Sequence, residues 1–183
     1  NSVTEYAYSE ARAELTGRGF LGFKTETVSN ATVNRKAVST TELNMTYYAP
    51  SKITNEVFDY SGNSAYSKSE SNFSNTKTGK ILDTKPTLSE SWDYLTTLHQ
   101  KTEYKTFDAY GNPTQTESTQ GNVKLTQDMT YIQKGSFCPN KPELVTITKT
   151  VGSDTHIRTR KYFYDTKGNV TKTISDEGNE NSV

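Results

Sequence analysis

Few residues in this chain have the chemistry of a catalytic or metal-binding group. His99 and His156 are its two histidines, and neither has a Cys or His nearby at the spacing of metal ligands. Cys138, the single cysteine, could act as a nucleophile only if His and Asn side chains approached it in space. We interpret the histidines as solvated strand residues and Cys138 as a buried or idle thiol beside a proline turn. The sequence therefore predicts no enzyme, no metal and no cofactor.

Acidic residues could pair as in a glycosidase or ligate calcium, and four of them share a turn-like setting: Asp59, Asp108, Asp165 and Asp176. A calcium loop needs several closely spaced oxygen ligands and a distal bidentate carboxylate. Each Asp-x-x-Gly-Asn segment supplies one carboxylate and one amide. We therefore expect these carboxylates to stabilise turns.

The glycines at Gly17, Gly19 and Gly22 have the spacing of a dinucleotide-binding loop. That spacing has meaning only between a strand and a helix of a βαβ unit. Both flanks here have the pattern of strands, so we expect these glycines to allow a bend or a close backbone approach within a sheet.

The composition favours β-structure and argues against several partners. The hydrophobic fraction is only 31%, but 12 Tyr, 7 Phe and abundant Ser and Thr suit a pleated, half-buried surface. Lys+Arg and Asp+Glu balance at 21 each, which disfavours nucleic acid as a partner. No apolar run approaches the ~20 residues of a membrane span, and a single cysteine excludes an internal disulfide.

An internal repeat organises the chain. The pattern aromatic-Asp-x-x-Gly-Asn occurs at residues 58–63, 107–112 and 164–169, and the last two copies continue with alternating Thr and a second Gly-Asn ten residues on. Asp can bond a nearby backbone N–H, while Gly and Asn tolerate left-handed backbone. Each copy is therefore predicted to be a chain reversal, with positive φ at the glycine and a local hydrogen bond to the aspartate. The predicted turn residues are Asp59, Gly62, Asn63, Asp108, Gly111, Asn112, Asp165, Gly168 and Asn169.

Strand patterns fill the spacers. Residues 144–151 alternate Val and Ile with Thr, residues 152–154 form a turn, and residues 155–164 return with Arg158 and Arg160 on one face. Ser29-Asn30 is predicted as another turn. The best helical candidate is the spacing of Leu88, Trp92, Leu95 and Leu98, which the local Thr content disfavours.

Together these patterns predict an all-β fold of successive antiparallel hairpins in a curved open sheet. We expect a segment at residues 1–57 that leads into a repeat region at residues 58–183, in one continuous sheet. The chain begins within a pattern at Tyr6-Ala7-Tyr8 and ends within a turn-like Gly178-Asn179, which we interpret as the mark of an excised piece.

The aromatic-Asp-x-x-Gly-Asn copies resemble the YD repeats of the Rhs and teneurin families. A second string resembles the segment before the repeats in the B component of insecticidal toxin complexes and in SpvB-like proteins: Gly17, Arg18, Gly19, Phe20, Leu21, Gly22 and Phe23. The resemblance covers nearly the whole chain, and residues 28–51 and 76–100 match only loosely.

The resemblance implies a function in a secreted or surface-exposed bacterial protein. Such hairpins join into a long sheet that forms a hollow shell around a toxic C-terminal polypeptide, so this chain would be wall. Its partners would be other shell segments, the enclosed toxin and, through free β-edges at residues 4–8 and 171–175, other copies of itself. No Asp-Pro occurs in the sequence, so the family's self-cleavage motif is not carried over.

A carbohydrate-binding or adhesive β-module is the alternative function. Its candidate residues are aromatics that could stack on sugars: Tyr47, Tyr48, Phe58, Tyr60 and Tyr66. Exposure of these rings in one row would favour sugar binding, whereas packing across strands would favour wall.

Overall fold

The computed structural model describes residues 2–132 and 140–176, and these residues form strands and turns without any helix. The twelve strands are β1 Glu5–Glu14, β2 Gly19–Asn30, β3 Arg35–Asn44, β4 Ala49–Phe58, β5 Ala65–Thr78, β6 Ile81–Asp93, β7 Leu98–Phe107, β8 Pro113–Gln120, β9 Val123–Tyr131, β10 Pro142–Val151, β11 Asp154–Tyr164 and β12 Val170–Ser175. Within the described ranges, therefore, no helix is available to cross a membrane.

Hydrogen bonding orders the strands in one open sheet as they occur in the chain, from β1 to β12. The prediction of an all-β chain of successive antiparallel hairpins is confirmed. The chain divides into two compact units, residues 1–101 and 102–183, and the boundary in the sequence falls within β7. The predicted division at residues 57/58, where the repeats begin, stays a prediction.

Neither unit has a conventional core. Among the described residues only Ala49, Glu14 and Thr116 are buried. Within each unit the strands contact chiefly their sequence neighbours, so most side chains on both faces remain partly accessible. Cross-strand pairs and ladder hydrogen bonds must therefore supply most of the stabilisation. This accounts for the low apolar content and the many Thr and Ser residues.

In the first unit, polar rows cross the strands. One row runs from Thr25 on β2 to Thr40, Thr54, Glu70 and Glu90 on β6. Directly opposed residues in antiparallel strands share a face, so this row is one line of contacts. Thr and charged side chains thus take the positions that apolar residues fill in a layered protein.

In the second unit, the predicted hairpin of residues 144–164 forms as β10 and β11. Val145 lies opposite Arg160, and Ile147 lies opposite Arg158, so the apolar residues of β10 share a face with these arginines. The reverse face is rich in Thr: Thr148 of β10 lies opposite Thr126 of β9, and Thr150 lies opposite Thr155.

Three prolines lie at irregularities of the strand pairing. Pro50, Pro86 and Pro142 each have a partner across the ladder, and in every case the next residue is skipped by the register. Proline lacks the N–H that a ladder needs, and a bulge accommodates its absence. The proline positions therefore mark where the strands bend.

One sequence-based prediction of local structure needs correction. Ser29 and Asn30 remain in β2, and the turn follows at residues 31–34, because the Asn30 side chain accepts bonds from the N–H groups of Thr32 (3.0 Å) and Val33 (3.3 Å). The helical spacing of Leu88, Trp92, Leu95 and Leu98, which the sequence already disfavoured, forms no helix, because it is split between β6, a turn at residues 94–97 and β7. Asp93 accepts bonds from the N–H groups of Leu95 and Thr96 and so stabilises that turn.

Candidate functional site

The repeat turns are the most regular feature that the sequence singled out. In the turn of residues 108–112, the Asp108 N–H donates to the Asn112 carbonyl (2.9 Å) and the Gly111 N–H donates to the Asp108 carbonyl (3.2 Å). The Asp108 carboxylate accepts bonds from the N–H groups of Tyr110 and Asn112 and from the Asn112 amide, each at 2.9 Å. One aspartate therefore organises five residues.

The copy at residues 165–169 repeats this arrangement bond for bond. Asp165 accepts bonds from the N–H groups of Lys167 and Asn169 at 2.8 Å, and from the Asn169 amide at 3.0 Å. The copy at Asp59 is one residue longer, because its N–H donates to the Ser64 carbonyl (2.9 Å). Its carboxylate accepts bonds from the N–H groups of Asn63 and Ser64 and from the Ser61 hydroxyl.

The glycines of these turns occupy the left-handed region. The φ angle is 79° at Gly62, 85° at Gly111 and 81° at Gly168, which confirms the prediction of positive φ. A residue with a Cβ is disfavoured at such angles. The Gly in each copy is thus required by the backbone conformation.

Hydrogen bonding lowers the pKa of the turn aspartates. The Ser64 N–H followed by the Ser61 hydroxyl lowers the pKa of Asp59, and the Asn169 amide followed by the Asn169 N–H lowers the pKa of Asp165. At Asp108, burial raises the pKa, but hydrogen bonds from Asn112, Tyr110 and Gly111 together outweigh it and the net shift is downward. These groups are stabilised as carboxylates by their own turns.

The hydrogen bonds of the turn aspartates also disfavour calcium binding and acid–base catalysis at these carboxylates. The oxygens that a metal would need accept hydrogen bonds from turn N–H groups. In the described part of the chain, no three His, Cys, Asp or Glu residues cluster closely enough to hold a metal. Asp176, the fourth acidic candidate, pairs with Arg158.

The glycine-rich string lies at the first hairpin. Gly17 lies in the turn between β1 and β2, while Gly19 and Gly22 belong to β2, with φ angles of 147°, 72° and 93° respectively. Leu21 is skipped by the β1–β2 register, which makes a bulge. A Cβ at any of the three glycines would meet no atom within 4 Å, so the backbone conformation requires them. The dinucleotide hypothesis lacks its structural context, because a strand flanks the string on each side.

Arg18 ties this hairpin to its neighbour. Its guanidinium donates to the Tyr47 carbonyl and lies 5.7 Å from the centre of the Tyr48 ring. Its backbone N–H donates to the buried Glu14 carboxylate (3.0 Å), which also accepts the Thr16 N–H (2.7 Å) and the Thr16 hydroxyl. The Thr16 hydroxyl is the main cause of the lowered pKa of Glu14. The sequence analysis identified Arg18 but missed Glu14. The signal in the sequence is a carboxylate that lies four residues before Arg18, within reach of the N–H groups of the turn.

The aromatic residues of the string pack locally. Phe23 lies 4.8 Å from the Tyr8 ring centre and 5.3 Å from that of Phe20. Phe20 and Tyr8 remain 63% and 54% exposed, so this cluster is a surface of the first unit and not a core.

A charged and aromatic network spans β4 to β7 in the same unit. The Glu70 carboxylate bonds the Lys52 ammonium at 2.7 Å and that of Lys68 at 3.2 Å, and Lys68 lies over the Trp92 ring at 5.1 Å. The Lys52 bond lowers the pKa of Glu70, and the Glu70 bond raises the pKa of Lys52. His99, predicted to be a solvated strand residue, stacks on Trp92 at 4.9 Å.

The five aromatics of the sugar-binding alternative do not form one row. Tyr47 and Tyr48 lie in the β3–β4 turn, whereas Phe58, Tyr60 and Tyr66 lie at or beside the β4–β5 turn, at the other end of those strands. Tyr66 is covered by the Arg35 guanidinium at 4.1 Å, and Tyr60 alone of the five is exposed.

His156 and Cys138 are the two remaining candidates from the sequence analysis. His156 is an exposed residue of β11 opposite Lys149. The hypothesis about Cys138 lies outside the described residues.

Comparison with known proteins identifies the fold. No family model and no curated protein sequence matches this chain. The solved structures that match include TcdB2-TccC3 without its hypervariable C-terminal region (TM-score 0.69) and TcdB2-TccC3-Cdc42 (TM-score 0.70), each over 94% of the chain with 10% sequence identity. The match spans 14% of each of those chains. At the level of fold, this confirms the resemblance to toxin-complex proteins that the sequence motifs indicated.

Proposed function

We propose that this chain is a non-catalytic wall segment of a secreted shell that encloses a toxin polypeptide. The observation that carries the proposal is a sheet without a core whose strands follow the chain order, in the fold of the TcdB2-TccC3 chains. A structure of this kind can extend by adding hairpins at either end. Its partners would be neighbouring shell segments and the enclosed polypeptide.

The chemistry of the turns supports a structural function. The side chains that a catalytic acid or a metal site would use, the three repeat aspartates, accept bonds from their own backbone. Glu70, another partly buried carboxylate, is neutralised by two lysines. Such groups position strands and would have to be released before they could react with a substrate.

A chimera tests the wall function. The experiment starts from a TcdB2-TccC3 protein that retains its hypervariable C-terminal region. This chain would replace the segment of that protein that matches it in structure. Limited proteolysis would then measure how much of the hypervariable region survives. We expect the region to be protected in the chimera. Free digestion in a chimera that is otherwise folded would contradict the proposal. A chimera with Gly111→Val and Gly168→Val, which disturbs two repeat turns, is the matched control and should lose protection.

Titration with glycans tests the competing function. A saturable, specific glycan complex that is weakened by Tyr60→Ala would establish a carbohydrate-binding module. We expect no such complex, because Tyr60 is the only exposed ring among the five candidates, and a sugar-binding row needs several.

A further inference from the structure

An open pocket of about 390 Å³ lies on one face of the second unit. Its walls come from β10, β11 and the end of β12, and the lining includes Val145, Ile147, Arg158, Arg160, Tyr162 and Asp176. The volume lies within the range of small-ligand sites. The lining combines two aliphatic side chains, Val145 and Ile147, and the Tyr162 ring with five polar or charged residues.

The register divides the pocket into an apolar side and a cationic side. Val145 and Ile147 of β10 lie opposite Arg160 and Arg158 of β11. Ser175 of β12 lies opposite Arg160 on the other flank. A ligand in this pocket would contact aliphatic carbon along β10 and guanidinium N–H groups along β11.

The charges of the pocket do not balance. Asp176 pairs with Arg158, and within the described ranges Arg160 forms no ion pair. The second carboxylate oxygen of Asp176 is buried and has no hydrogen-bond partner among the residues that the structure describes. Asp176 is held in place by its backbone, with φ at 56° and its N–H bonded to the Thr159 carbonyl at 2.7 Å. The Arg160 guanidinium is therefore available to a ligand, whereas the Arg158 guanidinium is paired with one carboxylate of the chain, that of Asp176.

We propose that this pocket binds a carboxylate carried on an apolar group, such as the C-terminal residue of a peptide or an amphiphilic acid. The guanidinium fork matches a carboxylate geometrically, and charge-assisted bonds of this kind are among the stronger ones. The apolar group would cover Val145 and Ile147 and remove their surface from water. This inference is independent of the shell function.

The internal ion pair gives the proposal a distinctive consequence. A bound carboxylate competes with Asp176 for Arg158, so removal of the Asp176 charge should strengthen binding. Removal of the Arg160 charge should weaken it. A pocket with only a structural part in the fold would give no such opposite pair of effects.

Calorimetric titration of the full chain with two probes tests the proposal. The probes are decanoate and a short peptide that ends in leucine, the peptide with either a free or an amidated C-terminus. We expect Arg160→Gln to weaken binding about tenfold or more, which is the scale of one hydrogen bond to a charged group. We expect Asp176→Asn to strengthen binding severalfold and amidation to abolish it. Binding of one probe alone would identify the source of the carboxylate.

Lys161→Gln is the matched control, because Lys161 is the next residue of β11 and lies on the opposite face. Methyl chemical shifts of Val145 and Ile147 in the unmodified chain provide a second measurement that does not depend on any variant folding. The proposal fails if neither probe moves these methyl signals, or if Arg160→Gln and Asp176→Asn both bind as Lys161→Gln does.

Discussion

At the scale of single residues, the repeat depends on a few turn positions, and the glycines matter because of their left-handed backbone angles. Gly111 and Gly168 have φ angles of 85° and 81° in two turns with the same hydrogen bonds. The requirement is therefore local to five residues, and it can be tested one residue at a time.

Replacement of Gly111 or Gly168 by Val should lower the free energy of unfolding by about 1–2 kcal/mol, since a Cβ makes left-handed backbone costly. Gly111→Asn is the control and should cost less, because Asn tolerates that region. Urea unfolding followed by circular dichroism measures both. Unchanged midpoints for the two Val variants would refute this account of the repeat.

The lowered pKa values of the turn aspartates predict an acid sensitivity. A carboxylate whose folded-state pKa is lowered stabilises the fold above its unfolded pKa of about 3.9, and this contribution is lost as the pH falls through the folded-state pKa. The variant Asp59→Asn/Asp108→Asn/Asp165→Asn should be less stable than the parent at pH 7 and should lose less stability between pH 7 and pH 3. Parallel losses in the two proteins would show that these aspartates do not contribute.

The repeat turns could be predicted from sequence because left-handed backbone leaves a residue signature, Gly, and the Asp that stabilises the turn lies at a fixed distance from it. The four-residue turns at residues 31–34, 45–48 and 94–97 could not. Their left-handed positions are taken by Asn34, Tyr48 and Thr97. Tyr and Thr carry no such signature, and Asn34 lies outside the Asp-x-x-Gly-Asn pattern. The pocket beside Arg160 could not be predicted from the sequence either, because the register of β10 and β12 against β11 decides which side chains share its face.

At the scale of the strand, tyrosines fasten neighbouring strands together at their ends. The Tyr131 hydroxyl, at the end of β9, donates to the Pro113 carbonyl at the start of β8 (2.8 Å). The Tyr164 hydroxyl, at the end of β11, donates to the Pro142 carbonyl at the start of β10 (2.7 Å). Burial raises the pKa of both tyrosines. The parallel between the two bonds indicates a second repeated device beside the aspartate turn.

Tyr131→Phe and Tyr164→Phe should each lower the free energy of unfolding by about 1 kcal/mol, since each leaves a partly buried carbonyl without its donor. Tyr6→Phe is the control, because Tyr6 is 64% exposed. Thermal unfolding of the three variants compares them. An equal effect of all three changes would mean that the proline carbonyls do not need these donors.

The whole molecule presents two sheet edges. Among the twelve described strands, β1 pairs with β2 alone and β12 with β11 alone, so within this set each has one unpaired backbone side. Unpaired edges template further pairing unless charge or proline protects them. Residues 4–8 and 171–175, predicted from sequence as edges, lie in or beside these two strands.

The isolated chain should therefore associate as its concentration rises. Sedimentation velocity over a concentration series measures this, and the double variant Ala7→Lys/Thr173→Lys, which places a charge on each edge, should shift the distribution toward monomer. A strict monomer at every concentration would contradict the prediction that the chain associates through its sheet edges.

Since each strand pairs only with the strands before and after it, the order of pairing is also the order of synthesis. Every new pair closes a short loop, which carries a small entropic cost and favours rapid, local nucleation. A hairpin can thus join the growing sheet as soon as it leaves the ribosome, without waiting for residues not yet made. Each strand that emerges covers the edge exposed by its predecessor, so the nascent chain never presents more than one freshly made edge to its surroundings.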